Sequence, residues 1–434
     1  MSASSPPSDG PLSDLLVLDL SRVLSGPYCS MYLADFGARV IKIERPPGDE
    51  GAGDDTRAFG PPFVAGESTY YLSVNRNKES VAVDMKAPEG RRIIADLARR
   101  ADILLENFRP GALDRLGLSY AALHKENPRL IYCSISGFGT DPADTPAEAR
   151  SPFATRPGYD VVVQGLGGFM ALTGEPERQP LKSGLSIADL TSGLLAFSGI
   201  LLALHARHRT GRGQHVDVSM LDGQVALLTY HAGMYLNGGR EPRRMGNRHP
   251  SIAPYETYQT ADGYINVAAA NDGLWRALCR VLSDLGLPGE ALVSDARFTS
   301  NSLRVQHREA LGAALEPLLR GLPSQRWLER LEAAGVPCGP ILSVPEVLGH
   351  PQVRHRQMVV DLPHPALEAR GGPASIQVTG VPIKLSETPG QVRSAPPLLG
   401  QHTESALRDL LGLSSEALRD LAARGVIAPT GRAP

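Results

Sequence analysis

An α/β fold with a parallel sheet, followed by a smaller α+β domain, is what the sequence predicts, and three observations carry that prediction. From Asp14 to Gly139, apolar runs rich in β-branched residues alternate with amphipathic stretches, the pattern of parallel strands joined by crossover helices. Around residues 237–254 the chain turns into a loop dense in Gly, Arg, Asn and Pro. Beyond it, the runs 255–260 and 264–268 flank Asp262-Gly263, a two-residue type I′ hairpin signal, and helical periodicity follows from Leu274 and from Ser324.

The strands of the sheet are expected at residues 15–20, 39–44, 80–85, 102–108 and 130–136. Pro88-Glu89-Gly90 opens a helix, because proline is tolerated in a first turn, and Ile93, Ile94 and Leu97 share one of its faces. These elements make a doubly wound, Rossmann-like large domain over 11–220. A linker and lid at 221–254, a small α+β domain at 255–345 and a return segment at 346–434 complete the expected organisation. The last segment ends in helices at 404–411 and 414–424 that pack back on the large domain. The apolar stretch 194–204 is shorter than the roughly 20 residues a bilayer needs and contains Ser198 and Gly199, so it reads as a buried helix.

Composition removes several classes of function. Of 434 residues 42% are hydrophobic and 21% charged, proportions of a soluble globular protein. A formal net charge of -2, with no Lys/Arg run interleaved with aromatics, offers no field for a polyanion, so nucleic acid is not an expected partner. The first ten residues have neither a signal-peptide nor a transit-peptide pattern, and a cytoplasmic location away from membranes is expected. Cys29, Cys133, Cys279 and Cys338 form no C-x-x-C pair, and no H-E-x-x-H is present, so no metal is expected. The first strand-to-helix turn, Ser21-Arg22-Val23-Leu24-Ser25-Gly26-Pro27, lacks the G-x-G-x-x-G that brings backbone against a pyrophosphate, which disfavours a nicotinamide dehydrogenase.

The most informative stretch is 184–193, where Asp189 ends one apolar segment and begins an apolar helix. As an N-cap it would satisfy orphan amides, a structural role sufficient by itself. The helix N-terminus would also keep its carboxylate ionised in a partly dry cleft, as a carboxylate nucleophile requires. The two roles are compatible.

Around it stand Asp35-Phe36-Gly37-Ala38-Arg39-Val40-Ile41-Lys42-Ile43-Glu44-Arg45-Pro46, Asn75-Arg76-Asn77-Lys78 and Glu106-Asn107-Phe108-Arg109-Pro110-Gly111. Further along come Thr210-Gly211-Arg212-Gly213-Gln214, Gly335-Val336-Pro337-Cys338-Gly339-Pro340 and Leu398-Leu399-Gly400-Gln401-His402-Thr403. In this order, over nearly the whole chain, they resemble the class III CoA-transferases, the family of formyl-CoA and carnitine CoA-transferases. The resemblance implies that Asp189 attacks the thioester of an acyl-CoA donor, that an aspartyl-CoA thioester follows, and that an acceptor carboxylate takes up the CoA. It implies no permanently bound cofactor, coenzyme A thioesters as substrates, and a homodimer of intertwined, ring-shaped subunits. It also implies that Arg45, Lys78 and Arg115 meet the CoA phosphates, that Asn107 and Phe108 lie along the adenosine, and that Val23, Leu24 and Tyr159 complete the CoA-binding set. Ordinary surface charge is the competing role for each cation.

Within the family, the stretches 53–57, 60–64 and 67–78 most resemble the succinyl-CoA:glutarate CoA-transferases. That implies succinyl-CoA as donor and a C4 to C6 diacid as acceptor. The second carboxylate of a diacid needs a charge-assisted partner, for which Arg57, Arg76 and His249 are the candidates, with loop stabilisation as the alternative. Two departures argue against oxalate: Leu24 stands where formyl-CoA transferases carry Gln, and Met245-Gly246-Asn247-Arg248-His249-Pro250 replaces their glycine-rich lid. An α-methylacyl-CoA racemase would need a histidine where this chain has Tyr159, and a phenol titrating near about 10 fits proton exchange at neutral pH poorly. A non-catalytic acyl-CoA-binding protein would have no use for Asp189.

Overall fold

The protein, in a computed structural model, is described over residues 10–48, 51–141 and 145–428. Six strands, β1 (Leu16–Asp19), β2 (Arg39–Glu44), β3 (Lys78–Ala82), β4 (Ile103–Glu106), β5 (Ile131–Ser136) and β6 (His215–Ser219), form a parallel sheet in the order β3-β2-β1-β4-β5-β6. The first five fall on the expected runs. The sequence pattern passes over β6, an edge strand in which polar His215, Asp217 and Ser219 interrupt the apolar residues.

Alternation along each strand feeds two cores, as side chains of period two must. Val17, Val40, Ile103, Leu105, Ile131 and Cys133 meet the helices Ser25–Asp35 and Ile187–Thr210 on one face. Leu18, Ile41, Val81, Leu104 and Tyr132 meet Pro88–Arg100, Thr403–Leu411 and Ser415–Ala423 on the other. The two C-terminal helices therefore pack on the sheet. Strand order reverses between β1 and β4, and in open sheets the crevice beyond the carboxyl ends at such a point is where ligands bind.

The chain divides into two compact units, one of residues up to 169, 183–232 and from 351 onward, the other of 170–182 and 233–350. These bounds differ from the expected 11–220 and 255–345. The helix Met220–Leu227 packs on Ile187–Thr210 and so belongs to the sheet unit. In the second unit, Tyr255–Gln259, Tyr264–Ala268 and Cys338–Pro340 form an antiparallel sheet over a core containing Trp275, Trp327, Phe298 and Ile265. Its hairpin is not type I′. Gln259 pairs with Tyr264, leaving a four-residue loop, and neither Asp262 nor Gly263 takes positive φ. The Asp262 carboxylate instead accepts from the Ser324 N–H at 2.7 Å, capping the helix Ser324–Ala333.

The helix Ile187–Thr210 departs from the expectation of a buried element. Its 24 residues are long and apolar enough, by length and composition, to cross a membrane. Only one stripe, including Ala188, Ser192, Gly193, Ala196, Phe197 and Ile200, is buried in the chain, while Leu194, Leu195 and Leu202 are exposed. Gly193 sets its approach to the helix Ser25–Asp35: a Cβ there would stand 2.6 Å from the Ser25 carbonyl oxygen. Gly193→Ala should therefore destabilise the protein by about 1–3 kcal/mol in urea unfolding, although alanine is the better helix former. A gain of about 1 kcal/mol would show that the two helices have room to separate.

Candidate active site

The turn after β1 is built on buried charge. Asp19, Lys42 and Lys78 are fully buried side chains, and the Lys42 ammonium lies 2.8 Å from Asp54 while donating to the Ser21 carbonyl at 2.9 Å. Burial raises the pKa of Asp54, but Lys42 and hydrogen bonds from Thr56 outweigh it and hold the carboxyl down at about 2. The same carboxylate accepts the Val23 N–H at 3.2 Å, and Val23 sits at φ +66°. A left-handed backbone is unfavourable for a β-branched residue and persists only where the surroundings over-determine it. Asn107, just past β4, supplies the other constraint: its Oδ1 accepts the Arg22 N–H at 2.8 Å and its Nδ2 donates to the Arg22 carbonyl at 2.7 Å. The switch point of the sheet is thus closed by an amide clamp, with the Arg22 guanidinium 4.6 Å from the centre of the Phe108 ring.

Asp189 lies in the first turn of Ile187–Thr210, but it is not the N-cap. Ser186 occupies that position without a side-chain bond, and the cap comes from another helix, Asp160–Leu166. Asp160 Oδ1 accepts the backbone N–H of Ala188 at 2.9 Å and of Asp189 at 3.4 Å, while Oδ2 accepts Gln164 Nε2 at 2.7 Å. This corrects the expectation of an ionised carboxylate. Burial, and then the like charge of Asp160, push Asp189 up to about 7. Tyr70 completes the group. Burial and the carboxylates of Asp189, Asp54 and Asp160 push its phenol up to about 12, which keeps it a hydrogen-bond donor at all working pH.

Of the other expected residues, several are already engaged. The Lys78 ammonium is fully buried, donating to the Pro27 carbonyl and Asn75 Oδ1 at 2.9 Å each and lying 3.4 Å from Asp19. Burial, with Lys42 beside it, brings it down to about 8. Arg76 is 1% exposed and bonds Asp35 through Nε and Nη2. Arg57 bonds Glu44 through two nitrogens, reaches Glu67 at 3.0 Å and stacks on Tyr71. Both guanidinium groups are thus paired with buried carboxylates, although Arg76 Nη1 has no hydrogen-bond partner of its own. Arg45 pairs with Asp55 at the half-exposed rim, Arg115 is exposed on the helix Ala112–Arg115, Leu24 is buried, and Tyr159 is 68% exposed.

His249 lies in the second unit, where its Nδ1 accepts the Ser251 N–H and its ring meets Tyr255 edge-on. The segment around it is anchored: Arg244 donates to the carbonyls of Glu175, Pro176 and Arg178, and Arg248 pairs with Glu256 and Glu309. Sequence reasoning missed Asp160, Tyr70, Arg22 and Asp54. Asp160 alone carried a local signal, as an acidic residue opening a helix; the others act through tertiary contacts. Among the described residues no group of three or more His, Cys, Asp or Glu could hold a metal ion, and Cys29, Cys133, Cys279 and Cys338 are free thiols.

A profile of CoA-transferase family III matches residues 12–403. The chain belongs to this family. This CoA-transferase is 40% identical over 417 residues to the succinyl-CoA:glutarate CoA-transferase of Mus musculus, an alignment covering 96% of this chain and 90% of that one. It is 43% identical over 392 residues to the acetyl-CoA:oxalate CoA-transferase of Acetobacter aceti, covering 90% and 93%. The crystal structure of a CAIB/BAIF family protein from Brucella suis matches with a TM-score of 0.79 and 41% identity, over 92% of this chain and 99% of that one. Relatives named for glutarate and for oxalate stand at similar identity, so overall identity does not select the acceptor.

In this transferase the ionised form of Asp189 grows as pH rises through about 7. Asp160→Asn keeps an oxygen for the Ala188 and Asp189 amides and removes the like charge. The rising limb of kcat/KM against pH should therefore move to lower pH in that variant. An unmoved limb would mean that the Asp160 charge does not act on Asp189.

Proposed function

We propose that this transferase moves CoA from succinyl-CoA to a dicarboxylate such as glutarate through an aspartyl-CoA thioester on Asp189. The observation that carries the proposal is the placement of that carboxylate. It lies one helical turn before Gly193, whose backbone abuts Ser25 in the turn at the sheet's switch point, and it is half-buried with a phenol donor nearby.

Asp189 attacks the donor thioester carbonyl, the C–S bond breaks, and CoA leaves as thiolate. The thiolate then attacks the Asp189 side of the mixed anhydride, the donor acid departs, and the thioester forms on the enzyme. The acceptor carboxylate attacks that thioester to give a new anhydride, and the released thiolate attacks its acceptor side, restoring Asp189. A carboxylate titrating near 7 is more basic, and so more nucleophilic, than an ordinary one. Tyr70 is proposed to donate to the developing oxyanion, and the burial of the Asp189 carboxyl to shield each activated acyl group from hydrolysis. The turn of Arg22, Val23 and Leu24, the Asn107–Phe108 pair, Arg45, Arg115 and Tyr159 are proposed to hold CoA.

The proposal extends to a homodimer. Val161, Val162, Leu194, Leu202, Val225 and Leu227 are exposed on three helices of the sheet unit, and a second copy is the proposed cover for these apolar side chains.

With succinyl-CoA as donor, glutarate should be converted with higher kcat/KM than butyrate or carnitine. A preference for monocarboxylates would overturn the diacid assignment, and no CoA transfer to any acid would overturn the whole proposal. Light scattering at micromolar concentration should give twice the chain mass, and an active monomer would contradict the dimer.

A further inference from the structure

At the amino ends of β2 and β3, the end of the sheet away from the crevice, residues 37–40, 77–79, 363–366, 393–396 and 401–402 border a cavity of about 820 Å³. All of them belong to the sheet unit. Pro363, Pro365, Ala366, Ala395 and Pro396 give the cavity an apolar wall. Arg39 and Glu79, bonded through two guanidinium nitrogens at 2.8 and 3.1 Å, cancel each other's charge, and the Lys78 ammonium is bound to Asp19 and the Pro27 carbonyl. The charge that remains is that of Arg393.

The backbone on either side of Arg393 is fixed. Asn77 Oδ1 accepts the N–H groups of Arg393 and Ser394 at 2.7 and 2.9 Å, and Asn77 Nδ2 donates to the Gln391 carbonyl at 2.8 Å. The guanidinium donates once, from Nη2 to the Ala34 carbonyl at 2.6 Å, and is in no ion pair among the described residues. The carboxylate it acts on, Asp35, is already bonded to Arg76 and Asn77.

Three neighbouring side chains have spent their acceptors and kept their donors. His402 Nδ1 accepts the Ser80 N–H at 3.2 Å and His364 Nδ1 accepts the Leu367 N–H at 3.3 Å, so in each neutral ring the proton sits on Nε2. Burial lowers both imidazoles and keeps them in that neutral form. Gln401 Oε1 accepts the Leu398 N–H at 2.9 Å, which leaves the amide Nε2 to donate. His364 is 2% exposed and its Nε2 has no hydrogen-bond partner, although the Pro396 carbonyl favours its charged form. A buried donor without an acceptor is costly, and a bound ligand can supply what is missing.

We propose that this cavity is a second binding site, separate from the crevice beyond β1 and β4, for a small organic carboxylate with an apolar body. Arg393 takes the carboxylate through nitrogens that the Ala34 carbonyl does not use, and Nε2 of His402 and Nε2 of Gln401 add neutral donors. The proline and alanine wall receives the body of the acid. A few polar groups converging beside an apolar wall is the usual make-up of a small-molecule site. The lining carries one unmatched positive charge, so it suits a monoanion. A bare inorganic anion would leave the wall in water.

Calorimetry on the full chain, with benzoate as the probe, tests the site. One benzoate per chain should bind, equally well with and without saturating CoA, and inorganic phosphate should bind about tenfold more weakly or worse because it buries no apolar surface. Arg393→Gln should weaken benzoate about tenfold or more. His402→Asn, which keeps an oxygen for the Ser80 N–H but removes the Nε2 donor, should weaken it about fivefold. Circular dichroism checks the fold of each variant, and His402→Asn carries the test alone if Arg393→Gln does not fold. Benzoate that fails to bind, that CoA displaces, or whose affinity is unchanged in either folded variant overturns the inference. Phosphate binding as tightly as benzoate overturns the ligand class. None of these results bears on CoA transfer at Asp189.

Discussion

The turn that follows β1 rests on a lattice of buried opposite charges, and the geometry of the site depends on that lattice holding its shape. Lys78 with Asp19 and Lys42 with Asp54 lie side by side beneath the turn, and the chain Glu44–Arg57–Glu67–Arg370 continues the alternation outward. Burying charge is costly unless every member is paired and bonded, and removing one partner strands another in a medium of low dielectric. Such a lattice is either complete or absent. It therefore specifies one conformation of the backbone that it grips. Asp54 shows how: one oxygen meets Lys42, and the other collects the N–H groups of Val23 and Thr56.

The same logic of tertiary charge decides how Asp189 behaves. A carboxylate in a first helical turn would ordinarily be stabilised as an anion by the exposed amides and the helix dipole. Here Asp160 has taken two of those amides and added a negative charge of its own. One residue thus supplies the cap and withdraws its benefit from the neighbouring carboxyl. A nucleophile that must leave water, attack and be regenerated gains basicity from that arrangement. Part of the cost is carried by the fold, in which Asp160 is itself held by Gln164.

Much of this was legible in the sequence, for reasons that also explain what was not. Parallel strands buried on both faces are written as continuous apolar runs, so β1 to β5 could be placed, whereas β6 at the sheet edge mixes His215 and Asp217 into its run. Asp189 could be singled out because it interrupts an apolar stretch, but its protonation could not, since that is set by burial in the tertiary structure and then by Asp160 on a separate helix. Arg57, Arg76 and Lys78 are visible as charges and look like ligands for anionic substrates. Only the tertiary structure reveals that their partners are Glu44, Asp35 and Asp19. The Asp262-Gly263 pair shows the limit of turn statistics: a demand from the Ser324 amide outweighed the local hairpin preference.

The central claim is that CoA passes through a covalent bond to Asp189. Incubation with succinyl-CoA, rapid acid quenching and mass spectrometry of the intact and digested protein test it most directly. The account predicts a gain equal to CoA less one water, located on the peptide that contains Asp189 and absent from Asp189→Ala. Continued CoA transfer by Asp189→Ala, or an adduct mapped to a different residue, would contradict it.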